Sequence, residues 1–431
     1  MKEIILKGLD EKVLYEKCSN GLSVYMHVNQ KVNNFFITYN CHYGAIHTEF
    51  KIKGEKEYRQ VPTGIAHFLE HVNFNEPNGQ TAQEYFHKLG SSINAFTSPM
   101  STSYEVVSST FFKENLEHLL DYVSIPCFTK KSVAKEKNII IEEIKMGNNQ
   151  TGKLLYFNSC QAIFHYDKHR NLTTGEIKDV RKITAEDLKF VHEVFYHPKN
   201  MFVIITGNFD PKEAIKIIKN NQKQKAVREY LDPQIKKVNE PLSPVKKYQT
   251  IKATVEIPKV KVTLKLARKS FAKYADVELD IILGSILRNN FGTCSDLKEK
   301  LQEEEKITGM SYSQSIFKSS PIVTLSVIVE TKYPKEIIEI IKNQFNNLQV
   351  DEAMLIRRRR ANIASLVYVF DNIENANYDL YNDVIAYHKI IDNYFDIYSG
   401  ISLIKVQEVM DQIKSDNFSV TVLVPNKKTI S

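Results

Sequence analysis

The feature that most restricts the fold is a repetition. The segment Ile183-Thr184-Ala185-Glu186-Asp187-Leu188, followed by Asn200-Met201-Phe202-Val203-Ile204-Ile205, has a counterpart about half the chain later. That counterpart is Ile401-Ser402-Leu403-Ile404-Lys405-Val406, followed by Asn417-Phe418-Ser419-Val420-Thr421-Val422. Each reads as a helix capped by Thr or Ser and then an apolar strand; Asp187, three residues after Thr184, makes an acidic variant of the capping box. Strands and helices alternate throughout both halves. A chain of 431 residues that repeats itself once in this way predicts two similar α+β domains, each a mixed sheet with helices packed on it.

The first half, residues 1–222, predicts a hairpin over Cys18–Val28 turning at Ser19-Asn20-Gly21, and a strand over Asn34–His42. Helices follow near Gly64–Val72 and from Thr81 to a stop at Gly90. Strands at Ser92–Thr97 and Ser103–Ser109 precede helices at Glu114–Val123, Ser132–Met146 and Thr184–Phe195, then a strand at Phe202–Thr206. The polar stretch 223–248, with Asp232-Pro233, Glu240-Pro241 and Ser243-Pro244, reads as a linker. Residues 249–431 repeat the grammar: strands in Thr254–Leu266, Ser311–Ile316, Val323–Val329 and Phe418–Val424, with helices at Asp276–Arg288, Asp296–Glu304 and onward to Lys414.

Composition excludes several classes. An apolar fraction of 42% with 25% charged residues is that of a globular protein, not a disordered or fibrous one. No run of 18 apolar residues is present to span a membrane. Acidic residues at Glu3, Asp10 and Glu11 interrupt the start before an apolar stretch of signal-peptide length forms. Five dispersed cysteines without a C-x-x-C pair read as reduced thiols, so a bacterial cytoplasmic location is the expectation. A net charge of +7 is mild, and its one dense block, Arg357–Arg360, falls in a predicted helix that turns the four side chains in different directions. That block reads as a solvated helix face, and no nucleic-acid partner is expected.

One motif carries chemistry: His67-Phe68-Leu69-Glu70-His71, an H-x-x-E-H inside a predicted helix. Residues four apart share a helix face, so His67 and His71 can grip one metal ion. Glu70 is placed to act on a water at that ion without being a ligand. Zinc lowers the pKa of such a water to about 7, and a neighbouring carboxylate can then take its proton. A catalytic zinc needs a third protein ligand. Glu136 and Glu143, two turns apart on a later helix, offer carboxylates on one face, while Glu142 points about 100° away from Glu143. From the residues alone, Glu143 is either a ligand or a surface charge. The same ligand types suit iron(II) oxygenases, although Glu70 has no role in that chemistry.

The spacing from His67–His71 to Glu143 resembles that of the pitrilysin/insulinase family of zinc peptidases, family M16. The resemblance extends to His42-Tyr43-Gly44-Ala45, to Asn94-Ala95-Phe96-Thr97 with Thr102-Ser103-Tyr104, and to Tyr196-His197-Pro198-Lys199-Asn200-Met201 with Gly207-Asn208. It is strong over residues 10 to 220 and looser beyond, and is closest to the short two-domain members of Gram-positive bacteria. It implies a half-clamshell in which His67, His71 and Glu143 bind Zn2+, Glu70 is the general base and Glu136 supports the ligands. It implies also that Asn94, Ala95 and Phe96 form a strand to which a peptide or small-protein substrate adds its own backbone. One departure stands out. The family's R-x6-Y pair in the second half has no counterpart before Tyr312, where Lys298 and Lys306 are poor substitutes for arginine. The expected partner is therefore a second chain of the same family, an inactive paralogue carrying that pair, with a homodimer as the alternative. A non-catalytic partner or scaffold subunit is the rival function.

Overall fold

The computed structural model describes residues 1–147 and 150–426. Seven strands form the first large sheet: β1 (Lys2–Leu6), β2 (Glu11–Lys17), β3 (Ser23–Val28), β4 (Phe35–Cys41), β5 (Ser92–Thr97), β6 (Thr102–Ser108) and β7 (Met201–Gly207). Their order is β1-β2-β3-β7-β4-β6-β5. The second sheet contains β8 (Tyr248–Ala253), β9 (Lys259–Ala267), β10 (Gly309–Phe317), β11 (Ile322–Glu330) and β12 (Phe418–Pro425), in the order β8-β12-β9-β11-β10. In the first sheet β3 and β7 run parallel and every other pair is antiparallel; in the second only β8 and β12 are parallel. Without β1 and β2, the two sheets have the same order and the same directions. The repeat seen in the sequence is thus a repeat of topology, with β7 and β12 in the same place.

Central strands read as expected for their position. All seven residues of β4 and all seven of β7 are buried, as in strands covered on both faces. The capping box at Thr184 is formed, Thr184 and Asp187 each accepting the other's backbone N–H. Five helices matter below: α1 (Ile65–Asn73), α2 (Lys130–Gly147), α3 (Thr151–Ile163), α4 (Asp276–Phe291) and α5 (Ile373–Tyr387).

The compact units are not contiguous stretches of chain. One comprises residues 1–144, 171–236 and 364–395; the other comprises 145–170, 237–363 and 396–431. The cause is the placement of two helices. α3 packs on β12, β9 and β8, whereas α5 packs on β7 and β4. Asn377 of α5 accepts from Thr38 Oγ1 at 2.9 Å, and Thr206 Oγ1 donates to the Ile373 carbonyl at 2.7 Å. Each sheet therefore receives on one face a helix from the other half of the sequence. α3 was not anticipated from sequence, since its apolar residues lack a clean stripe. The helix Pro211–Gln224 was also missed, although Asp210 caps it and proline opens it, a readable signal.

The stretch read as a linker is structured. Gln234–Ile235 pairs with Lys51 and Phe50 in a small third sheet. Glu240 is fully buried in the second unit against Lys265. The Arg357–Arg360 block is also less solvated than expected: Arg357 and Arg360 are exposed, but Arg358 and Arg359 are half-buried, and Arg359 donates to the Ile401 carbonyl at 2.8 Å. Tyr312 is not without an arginine. Arg288, near the end of α4, brings its Nε to 2.6 Å from the Tyr312 hydroxyl, a pairing between elements that the strand-local spacing conceals.

Candidate metal centre

α1 starts at Gly64, whose φ of +83° is in the left-handed region. A Cβ there would sit 2.3 Å from the Thr174 carbonyl oxygen, so the chain needs glycine at this crossing. Thr63 secures the same crossing by donating to Asp179 at 2.8 Å. Eight of the nine residues of α1 are buried, His67 and Glu70 among them. A helix buried on nearly every side has no solvent face for its polar groups, so each must find a partner inside.

α2 supplies those partners. Its buried positions are Val133, Glu136, Ile140 and Ile144, so a carboxylate occupies an otherwise apolar stripe. Glu143, 38% exposed, reaches both imidazoles: Oε1 is 3.6 Å from His67 Nε2, and Oε2 is 3.5 Å from His71 Nε2. Glu136 lies behind, 3.5 Å from His71 Nδ1. Glu142, the residue before Glu143, takes no part in these three contacts. One donor atom each from His67, Glu70 and His71 falls within 4.8 Å of the others. Glu70 is held from its far side, where Thr97 of β5 donates to Oε2 at 2.6 Å. No local sequence pattern points to this Thr97 contact, which joins residues from two elements.

Electrostatics favour a cation here. Three carboxylates, Glu70, Glu136 and Glu143, surround two imidazoles in a largely buried setting. Burial works against a charged His71, yet Glu136, Glu143 and Glu70 outweigh it and raise its pKa to about 9. Burial is the main influence on Glu70, pushing it up to about 7 against the pull of Thr97 and His71. The donor set also fits zinc by size. Ligands about 2.0–2.1 Å from a tetrahedral ion stand roughly 3.4 Å apart, close to the separations that Glu143 makes with the two histidines.

β5 is the last strand of its sheet and, among the described residues, pairs with β6 alone, which leaves its other edge without a strand partner. A cavity of about 270 Å³ beside it is lined by Glu70, His71, Asn94, Ala95 and Glu136. Alternation along β5 sets Ala95 and Thr97 on one face and Asn94 and Phe96 on the other. Phe96 packs edge-on against Tyr381 of α5, with ring centres 5.7 Å apart. Glu105, opposite Asn94, is buried and accepts from Tyr378 at 3.0 Å.

Two histidines and a carboxylate converge from two helices, with a further carboxylate alongside, a donor set of the kind used by metallopeptidases that carry an H-x-x-E-H motif. Comparison with known proteins agrees. Residues 56–174 match the model of the insulinase family, peptidase family M16, and residues 182–360 match that of the M16 inactive domain. The chain is 29% identical over 429 residues to a Bacillus subtilis protein named uncharacterized zinc protease YmfH, covering 99% of both. Its fold superposes on an M16-like peptidase from Alicyclobacillus acidocaldarius with a TM-score of 0.89 and 23% identity, over 98% of this chain and 100% of that one. It also superposes on the periplasmic protease PqqL from Escherichia coli with a TM-score of 0.72 and 18% identity, where 97% of this chain covers 48% of the other. The chain belongs to peptidase family M16, as one of its short two-domain members.

Proposed function

We propose that this protein is a zinc metalloendopeptidase acting on peptides or small proteins. The observation that carries the reading is the convergence of His67, His71 and Glu143 at 3.5–3.6 Å with Glu70 buried alongside. In this reading the two imidazoles and Glu143 hold Zn2+, and Glu136 orients His71 through Nδ1. When bound, zinc supplies Lewis-acid polarisation of a water and of the peptide carbonyl. Glu70 takes the proton of the attacking water and returns it to the leaving amine. Thr97 fixes Glu70 Oε2, which leaves Oε1 as the working oxygen. The open edge of β5 at Asn94, Ala95 and Phe96 accepts the substrate backbone as an added strand. A peptide library incubated with zinc-loaded protein and read by mass spectrometry tests the activity; no cuts with zinc bound would favour the scaffold reading.

The ligand assignment has its own test. Glu143→Gln is expected to abolish stoichiometric zinc by elemental analysis, while Glu142→Gln keeps it. Glu136→Gln weakens zinc by about 10–100-fold, as loss of a supporting partner does. Equal zinc in the Glu142 and Glu143 variants would overturn the assignment.

A second chain of the same family completes the enzyme in this reading. The Arg288–Tyr312 pair means that another copy of this chain brings an Arg–Tyr pair as an inactive paralogue would. Closed homodimers are the commonest assemblies of soluble proteins. Activity and mass in solution, measured with and without the paralogue, separate the cases: a dimer active alone identifies the homodimer, and an active monomer rejects the requirement for any partner.

A further inference from the structure

β9 sets Lys259, Lys261, Thr263 and Lys265 on one face, while Val260, Val262, Leu264 and Leu266 on the other fill the core of the second unit. Two of these lysines are neutralised: Lys259 by Glu330 at 2.7 Å, and Lys265 by Glu240 at 2.8 Å. The one between them is not. Lys261 is only 7% exposed, yet among the described residues no carboxylate oxygen lies within 4.0 Å of its ammonium. Its neighbour is the ring of Tyr156 on α3, whose centre is 5.2 Å from Nζ. An ammonium withdrawn from water without a counter-charge is unfavourable, and burial pulls its pKa down.

That ammonium lines a cavity of about 350 Å³ between α3 and the sheet. The volume falls in the range of small-ligand pockets. Its sheet wall is a patch of hydroxyls. Ser313 stands opposite Ser326, and Ser326 stands opposite Thr263, with the last two hydroxyls 3.0 Å apart. Its helix wall is largely apolar, built from Leu155, the Tyr156 ring, Cys160 and Ile163 with Phe164 just beyond the helix end, and its one helix serine, Ser159, already donates to the Leu155 carbonyl at 2.6 Å. Glu330 also lines the cavity, already taken by Lys259, and would repel a second negative charge. The walls therefore ask for one anionic head and an apolar body.

We propose that this cavity binds a small organic monocarboxylate, its oxygens meeting Lys261 and the serine hydroxyls and its apolar body lying against α3. The site is separate from the metal centre and does not depend on the peptidase reading. Calorimetric titration of the full chain with 4-phenylbutyrate and hexanoate, at constant ionic strength, tests it, with 4-phenylbutyramide as the uncharged control. Wild type is expected to bind the carboxylates with Kd of about 1 mM or tighter, and the amide at least about 10-fold more weakly. Lys261→Met is expected to lose about 10-fold or more, whereas Lys252→Met, exposed on β8 and outside the cavity lining, retains affinity. Should Lys261→Met fold poorly, Ser313→Leu, at an exposed strand position that intrudes on the hydroxyl wall, is expected to weaken binding similarly. Absence of carboxylate binding to wild type at about 10 mM, equal binding of the amide, or unchanged affinity in Lys261→Met and Ser313→Leu would each overturn the proposal.

Discussion

Glu70→Gln is expected to retain stoichiometric zinc but to lose about 10²–10⁴ in peptide cleavage, the usual worth of a general base. The two parts of this expectation rest on different contacts. Retention follows because Glu143, not Glu70, is the carboxylate that reaches both imidazoles. Loss follows because glutamine keeps the shape and can still accept from Thr97, but takes no proton at its amide. The isosteric change therefore separates the base from the scaffold around it. Thr97→Val offers a graded companion, since it frees Oε2 without removing the carboxylate and should cost less. Loss of zinc in Glu70→Gln would instead make Glu70 a ligand, a possibility that its proximity to both histidines makes worth measuring. Full activity with zinc retained would remove Glu70 from the reaction.

Glu240→Ala is expected to destabilise the second unit by about 3–5 kcal/mol, the range for breaking a buried ion pair from one side. Glu240 and Lys265 are both fully buried. The carboxylate accepts from Lys265 Nζ at 2.8 Å and from the backbone N–H groups of His165, Tyr166 and Asp167 at 2.7, 2.8 and 2.9 Å. Alanine would strand an ammonium and three amides together. Lys265→Met should cost less, because the three amides still hold the carboxylate in place. Burial alone would raise the Glu240 pKa, but Lys265 and the amides outweigh it and keep the carboxyl below its ordinary value. A depressed folded pKa means that this stabilisation is complete above the unfolded value and is lost as pH falls through the folded one. Urea unfolding should therefore show the gap between wild type and Glu240→Ala narrowing in acid. An equal cost for both variants at neutral pH would show that the amides contribute nothing.

Much of the candidate metal centre follows from chain-local arithmetic. Four-residue spacing on a helix puts His67 and His71 side by side wherever that helix lies, and seven-residue spacing does the same for Glu136 and Glu143. Capping residues and glycines fixed many helix ends within a residue or two, because those preferences act over a single turn. The repeat similarly foretold two sheets of one topology. What needed the folded chain were relations between elements distant in sequence. Thr97 meets Glu70 only because β5 closes the sheet beside α1. Arg288 reaches Tyr312 from another helix, which no strand-local pattern encodes. The buried Glu240 lay in a stretch whose prolines read as a linker, since composition does not reveal which polar residue will be covered. Most of all, the exchange of α3 and α5 between the units has no local signature. A helix covers whichever apolar or hydrogen-bonding sheet face tertiary packing brings to it, and its own sequence does not specify which face that is.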